Sequence, residues 1–249
     1  MNERFSLVGK TILVTGASSG IGRGIAIVCA EAGARVILNG RNEKRLQETL
    51  SELRARTDVL DAAHLVIPAD LTDAEQRQTL VERVPELDGL VQCAGVMNRV
   101  PCKSIGQEDI DSVFVPNVEA PILLQAELLQ ERKIKKGASI VYMASIAPRS
   151  AETGNALYSA SKASIIAYAK CLSLELAPRQ IRVNCISPAM VWTDLALSGA
   201  TKEELEQDQV SYPLKRYGKP EDVANAAVYL LSDESSWMTG SNIEITGGK

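Results

Sequence analysis

The 249-residue chain predicts an α/β fold, a doubly wound, mostly parallel sheet with helices on both faces. Three observations carry this. Short apolar runs alternate with longer segments of helical periodicity along the chain. The runs are almost continuously apolar, as strands covered on both faces must be. No repeat, low-complexity segment or Gly/Ser/Pro-rich linker interrupts them, so one domain over residues 1–249 is expected.

The elements follow in order. KTILVTG (10–16) reads as a buried strand, and IGRGIAIVCAEAG (21–33) as a helix ended by Gly33. ARVILNG (34–40) is the second strand, followed by an amphipathic helix, NEKRLQETLSELRAR (42–56). AHLVIPAD (63–70) is the third strand, DAEQRQTLVERV (73–84) a helix, and LDGLVQCAG (87–95) the fourth strand with its turn. Residues 107–133 hold one or two helices, and ASIVYMAS (138–145) is the fifth strand. A long helix covers 156–177, and IRVNCISP (181–188) is the sixth strand. A helix over 220–232 and a strand over SNIEITGG (241–248) complete the count at seven strands. Residues 190–217 are more polar and less regular and read as a mobile substrate lid.

Composition narrows the function. Hydrophobic residues make up 45% and aromatics 4%, so the core is built of Ala, Val, Ile and Leu. Lys plus Arg total 27 against 31 Asp plus Glu, a net charge of −4 that argues against nucleic acid as a partner. An anionic cofactor needs only local positive potential and stays open. The five cysteines, Cys29, Cys93, Cys102, Cys171 and Cys185, are odd in number and form no CxxC. They read as buried thiols in a reducing compartment. His64 is the only histidine, which excludes a His-rich metal site; at the start of a strand it reads as structural. The N-terminus has no signal-peptide pattern, and no run approaches the roughly 20 apolar residues of a membrane span. A soluble, cytoplasmic protein without a membrane partner or metal is expected.

The first strand runs into TGASSGIG (15–22), with Gly16, Gly20 and Gly22 at a strand-to-helix turn. Small residues there let backbone approach a pyrophosphate, and a helix N-terminus favours anionic charge. The spacing is G-x-x-x-G-x-G; a tight βα turn without ligand is the alternative. The second strand ends in Asn39, Gly40 and Arg41, with no acid to grip a ribose 2′-hydroxyl. Arg41 can pair with a 2′-phosphate, which favours NADP(H) over NAD(H), or it is an exposed charge at a helix start. Asp70 can accept from an adenine amino group or cap the following helix.

YSASK (158–162) sets Tyr158 four residues before Lys162, on one face of the long helix. An ammonium beside a phenol favours the phenolate and suits proton transfer. The small residues between them let the helix approach a cofactor. Together, TGASSGIG, CAG (93–95), Asn117, Ser145, YSASK, SPA (187–189) and Thr193 resemble the short-chain dehydrogenase/reductase family over essentially the whole chain.

The resemblance implies a Rossmann-type sheet and hydride transfer between a nicotinamide and a carbonyl or alcohol carbon. It makes Tyr158 the general acid or base, and has Lys162 hold the nicotinamide ribose. Ser145 hydrogen-bonds the substrate oxygen, and Asn117 positions a water linking Lys162 to solvent. It places cofactor contacts at Gly16, Ser18, Ser19, Gly20, Ile21, Gly22, Arg41, Asp70, Leu71, Ala94, Gly95, Pro188, Ala189, Val191 and Thr193, besides Tyr158 and Lys162. Three positions depart from the family pattern: Cys93 stands for an asparagine, Ala189 for a glycine and Thr246 for an aspartate.

The C-terminal part, 213–248, resembles 3-oxoacyl-[acyl-carrier-protein] reductases and their sugar, polyol and steroid dehydrogenase relatives. An acidic acyl carrier protein would want basic residues at the entrance. Arg132, Lys133, Lys135, Lys136 and Arg179 offer a cluster, which reads more simply as a solvated loop. Ile146, Ala147, Pro148, Met97, Arg99, Met190, Val191 and Trp192 are substrate-pocket candidates. Three readings stand: an NADPH-dependent 3-oxoacyl reductase, a dehydrogenase of another small alcohol, sugar or steroid, and a non-catalytic NADP-binding regulator. The complete Ser145–Tyr158–Lys162 set speaks against the last. The family implies a homotetramer.

Overall fold

The computed structural model describes residues 4–57, 64–197 and 201–249. Seven strands form one parallel sheet in the order β3-β2-β1-β4-β5-β6-β7. They are β1 (Thr11–Val14), β2 (Arg35–Gly40), β3 (Leu65–Pro68), β4 (Leu87–Gln92), β5 (Ile134–Met143), β6 (Arg182–Pro188) and β7 (Asn242–Ile245). The chain steps outward from β1 to β3, returns to place β4 on the other side of β1, then steps outward again. That reversal opens a crevice at the C-terminal ends of β1 and β4, where ligands of such sheets bind.

Ten α-helices are described: α1 (Gly20–Glu31), α2 (Glu43–Arg56), α3 (Ala74–Arg83), α4 (Gln107–Phe114), α5 (Ala120–Gln130), α6 (Ala147–Ser150), α7 (Ala156–Leu176), α8 (Asp194–Leu197), α9 (Lys202–Gln209) and α10 (Pro220–Leu231). Alternate side chains of each strand feed two apolar layers. Ile12, Val14, Val36, Leu38 and Val141 pack against α1, α2 and α10. Leu13, Ile37, Leu90, Ile140 and Tyr142 pack against α3, α5 and α7.

Several expectations gain detail. Residues 107–133 form two helices joined by a π-helical turn over Val115–Glu119. Pro116 has no N–H for the α-helical ladder, and Ala120 bonds back to Val115 O, five residues earlier. Strand β5 starts at Ile134, before the expected 138, because a register shift opposite Leu87–Gly89 absorbs the irregular residues near Gly137. The lid region 190–217 holds α8 and α9 around Leu205, Tyr212 and Tyr217, with residues 198–200 outside the described set.

All five cysteines are free, but the expectation that they are buried fails for Cys102 and Cys171, which are exposed. Cys171 lies in an apolar stretch of α7 whose outer side is nonetheless left uncovered. His64 is buried, and its Nδ1 accepts from Val36 N at 3.0 Å, joining the start of β3 to β2. Among the described residues, no helix is long and apolar enough to cross a membrane.

Candidate active site

The glycine turn lies at the crevice. Thr15 is buried at the end of β1, and its Oγ1 accepts from Cys93 N at 3.0 Å and Ala94 N at 3.1 Å. This hydroxyl locks the β4 turn to the β1 turn; it carried no motif signal beyond its place before Gly16. Gly16 has φ +67°, and a Cβ there would lie 2.9 Å from Ala94 Cα. A Cβ on Gly22 would lie 2.3 Å from Gly16 O, so the first turn of α1 fits only with glycine. Ser19 is the N-cap of α1, yet its side chain makes no capping bond. The leading N–H groups are thus left without a side-chain cap, as a phosphate site requires. Thr193 closes the same place: a Cβ on Gly20 would meet Thr193 Cγ2 at 3.2 Å. Gly40 approaches Ser18 so closely that a Cβ would meet Ser18 Oγ at 3.3 Å. These glycines bring the β1 turn, the β4 turn and α1 into close contact beside the uncapped N-terminus of α1.

Arg41 and Asp70 face each other at 4.0 Å across the ends of β2 and β3, with the Arg41 side chain 73% exposed. Asp70 Oδ1 accepts from Thr72 N and Oγ1 at 3.0 and 2.8 Å. The helix-cap alternative for Asp70 does not hold, because Asp73 caps α3 by accepting from Gln76 N. Leu71 is buried, and its carbonyl accepts from Arg77 Nη1. Buried Asn39 donates to Ile67 O and Ala69 O and so braces this corner from below. Arg45 reaches across to Asp194 at 2.8 Å, tying α2 to α8.

Helix α7 carries Tyr158 and Lys162 one turn apart. Lys162 Nζ lies 5.7 Å from the Tyr158 ring centroid and donates to Met143 O at 2.9 Å. A Cβ on Gly95 would lie 3.4 Å from that ammonium and 3.0 Å from Asn117 Oδ1, so Gly95, Asn117 and Lys162 meet. Asn117 Nδ2 donates to Val96 O at 2.9 Å and to Ser161 Oγ at 3.1 Å, and Oδ1 accepts from Val96 N at 2.8 Å. Its side chain is occupied by protein, so holding a water would fall to another atom. Ser145 follows β5, its Oγ accepting from Ala147 N at 3.1 Å while its proton stays available. Ser159 Oγ donates to Ala147 O at 3.2 Å and fastens this serine turn to α7.

Pro188 ends β6, and Ala189 N donates to Ile245 O at 3.0 Å. Ala189, Met190 and Trp192 pack against Leu205, Tyr212 and Tyr217. Val191 is buried and pairs with Gly218. Trp192 and Tyr217 rings stand 5.3 Å apart, and Tyr217 donates to Asp208 Oδ2 at 2.6 Å. Burial, then the Asp208 bond, pushes the Tyr217 phenol well up. Tyr212 and Tyr217 lie in the expected lid without a motif to mark them. Opposite, Arg99 pairs with Glu152 at 2.6 Å.

Two departures acquire physical accounts. Burial pushes the Cys93 thiol up to about 12, with the Lys162 charge pulling the other way, so Cys93 acts as a neutral packing residue. Thr246 Oγ1 accepts from Gly248 N at 3.1 Å and keeps a side-chain-bonded turn without a carboxylate. The basic cluster does not stand at the entrance. Lys133 donates to Val84 O, Lys135 pairs with Asp88, and Arg179 donates to Ile134 O, at the beginning of β5. That is the opposite end of the strand from Met143 and Lys162.

A family model described as enoyl-(acyl carrier protein) reductase matches residues 16–249. The 3-oxoacyl-[acyl-carrier-protein] reductase of Rickettsia felis is 36% identical over 244 residues, 97% of each chain. The L-xylulose reductase of Caenorhabditis elegans is 35% identical, covering 100% of this chain and 98% of its own. Among solved structures, a dehydrogenase/reductase from Sinorhizobium meliloti superposes with a TM-score of 0.88 at 32% identity, over 99% of this chain and 97% of that one. A structure assigned as an NAD(P) dependent gluconate 5-dehydrogenase from Beutenbergia cavernae, with bound NADP, gives 0.87 at 30% identity and 98% of each chain.

Proposed function

The chain belongs to the short-chain dehydrogenase/reductase family, and on that premise we propose that it is an NADP(H)-dependent enzyme interconverting ketones and secondary alcohols, with a 3-oxoacyl thioester its first substrate. The observation that carries this is the pairing of Tyr158 and Lys162 on α7 beside Gly95, with the Ser145 turn fastened to the same helix through Ser159 and Ala147. Bound nicotinamide supplies or takes the hydride. The glycine turn and the N-terminus of α1 would hold the pyrophosphate, and Arg41 would pair with a 2′-phosphate. Lys162 would hold the nicotinamide ribose. Ser145 donates to the substrate oxygen where negative charge develops. Tyr158 gives its proton to that oxygen in reduction and takes it back in oxidation. Asn117 fixes the β4 turn against α7 through Val96 and Ser161.

The thioester reading is supported by the Rickettsia felis relative. A hydroxyketone or sugar is the second reading, supported by the Caenorhabditis elegans relative. A cytoplasmic homotetramer completes the proposal by family analogy. Titration with NADPH and NADH by nicotinamide fluorescence, then NADPH oxidation with an acetoacetyl thioester, tests it. Tighter NADPH binding with thioester-dependent oxidation is expected. NADH preference overturns the cofactor assignment, and oxidation only with other ketones overturns the substrate.

A further inference from the structure

Residues 246–249, TGGK, follow β7 and bond to partners at two separate places. One is the lid. Gly247 O accepts from Leu214 N at 3.2 Å. Lys249 Nζ lies 4.7 Å from the Tyr212 ring centroid and donates to Ser211 Oγ at 3.1 Å. Gly248 has φ +94°, and a Cβ there would lie 2.8 Å from Pro213 Cβ, so the segment lies against the lid only with glycine. The other place is α6. Arg149 Nη2 donates to the main-chain oxygen of Lys249 at 3.1 Å. The same guanidinium grips Glu244 of β7 through Nε and Nη2 at 2.8 and 2.7 Å, a fork that fixes its direction.

Helix α6 begins at the serine turn. Ala147 N donates to Ser145 Oγ, and Ala147 O accepts from Ser159 Oγ. Contacts therefore run from Ser145 through α6, Arg149 and Lys249 to Tyr212. The lid needs such a tie. Leu205, Tyr212 and Tyr217 form a third apolar cluster, apart from the two layers on the sheet. So small a cluster supplies little local stability, and segments of that kind open at low cost. Where the lid rests is then set by the links that hold it to the frame.

We propose that residues 246–249 are a strap that fixes the lid relative to the Ser145 turn, with Lys249 and Arg149 as positioning residues for the substrate held between the two. The proposal rests on reading 190–217 as a substrate lid and Ser145 as the group that meets the substrate oxygen. Neither positioning residue touches the reacting atoms. Lys249 holds Tyr212, whose ring stands 5.1 Å from that of Tyr217, itself 5.3 Å from that of Trp192. Arg149 holds the strap to α6 and β7. A loosened strap leaves the lid open for more of the time, so the binding-competent state is less populated and KM rises. At saturation the closed state is restored, and kcat is kept.

The test first reads the lid without cofactor. Trp192 is half-buried against the lid cluster, and Trp237, the other tryptophan, is fully exposed. In a Trp237→Phe background, acrylamide quenching therefore reports the exposure of Trp192. Lys249→Met should be quenched more readily than its parent. Lys249→Arg, which keeps a cation for the Tyr212 ring, should be quenched like the parent. With NADPH and an acetoacetyl thioester, Lys249→Met should raise KM by about two- to fivefold, the worth of one exposed cation–π contact, at unchanged kcat and unchanged NADPH affinity. Arg149→Met should act in the same direction. Unaltered quenching and KM in Lys249→Met overturn the strap, as does an equal change in Lys249→Arg or an effect confined to kcat. A wild type that reduces no thioester removes the substrate reading, and the quenching comparison then decides the strap by itself.

Discussion

The side-chain amide of Asn117 and the main chain of Val96 bond in both directions, at 2.9 and 2.8 Å. The amide imitates a strand partner for the β4 turn. Its third bond runs to Ser161 Oγ, which donates to Tyr158 O. One buried side chain thereby joins the turn carrying Gly95 to the helix carrying Tyr158. Asn117→Ala would leave both Val96 groups unpaired, and a loss of about 2 kcal/mol is expected from burying them unsatisfied. Urea midpoints at constant m-value measure it; an unshifted midpoint would show that water replaces the amide freely.

Gly22 gives a sharper steric prediction. Its position for a Cβ, 2.3 Å from Gly16 O, overlaps backbone rather than a movable side chain. Gly22→Ala must push α1 away from the turn, for more than about 1 kcal/mol of strain. The larger effect should be on NADPH binding, since the same displacement spoils the uncapped N-terminus of α1. Fluorescence titration of the folded variant should give an affinity weakened by about tenfold or more. Unchanged affinity would refute the role of this turn.

Tyr158→Phe removes one oxygen and keeps the ring beside Lys162. Turnover of every ketone substrate should fall by about 10²–10⁴-fold, the usual worth of a positioned acid or base. NADPH binding should persist, since Lys162 keeps its bond to Met143 O. Retained turnover would transfer the proton role elsewhere.

The sheet, its order of elements and the long helix α7 were legible because strand burial and helix periodicity are local in sequence. The glycine turn and the Tyr158–Lys162 spacing were legible for the same reason. Thr15 and Tyr217 were not, because their partners lie at a distance in the chain: the amides of Cys93 and Ala94 for the first, the ring of Trp192 for the second. The basic residues show the opposite case. Arg132, Lys133, Lys135 and Lys136 are neighbours in sequence and meet Arg179 only in the fold, where Lys133 and Arg179 are spent on carbonyls at the far end of the sheet. Asp70 as a helix cap failed by three residues, because Asp73 offers the same chemistry with the right backbone.

Arg41 is exposed and only loosely opposed by Asp70 at 4.0 Å, so its charge remains available to a phosphate. Arg41→Ala should weaken NADPH binding by roughly tenfold, consistent with one charge-assisted contact. NADH affinity should shift far less, and the NADPH effect should shrink as ionic strength rises. Equal losses for both cofactors would mean that Arg41 supports the loop and does not read the 2′-phosphate.

His64 makes stability depend on pH. Its Nδ1 must be unprotonated to accept from Val36 N, and the ring is 7% exposed. Burial, then the Arg54 and Arg35 charges, hold its pKa below 6.5 in the folded protein. The unfolded chain therefore takes up a proton first as pH falls through 6.5. Protons bound by the unfolded state exceed those bound by the folded state below that point, so stability rises with pH there. The contribution is complete above pH 6.5 and is lost as pH falls toward the folded pKa, by at most about 1.4 kcal/mol per pH unit. His64→Gln removes the titrating group, and this is the only histidine in the chain. Between pH 7.5 and 5.5, wild-type urea midpoints should drop more steeply than those of His64→Gln. Parallel pH profiles would mean that the imidazole titrates alike in both states, against the burial and the Val36 bond that the fold imposes on it.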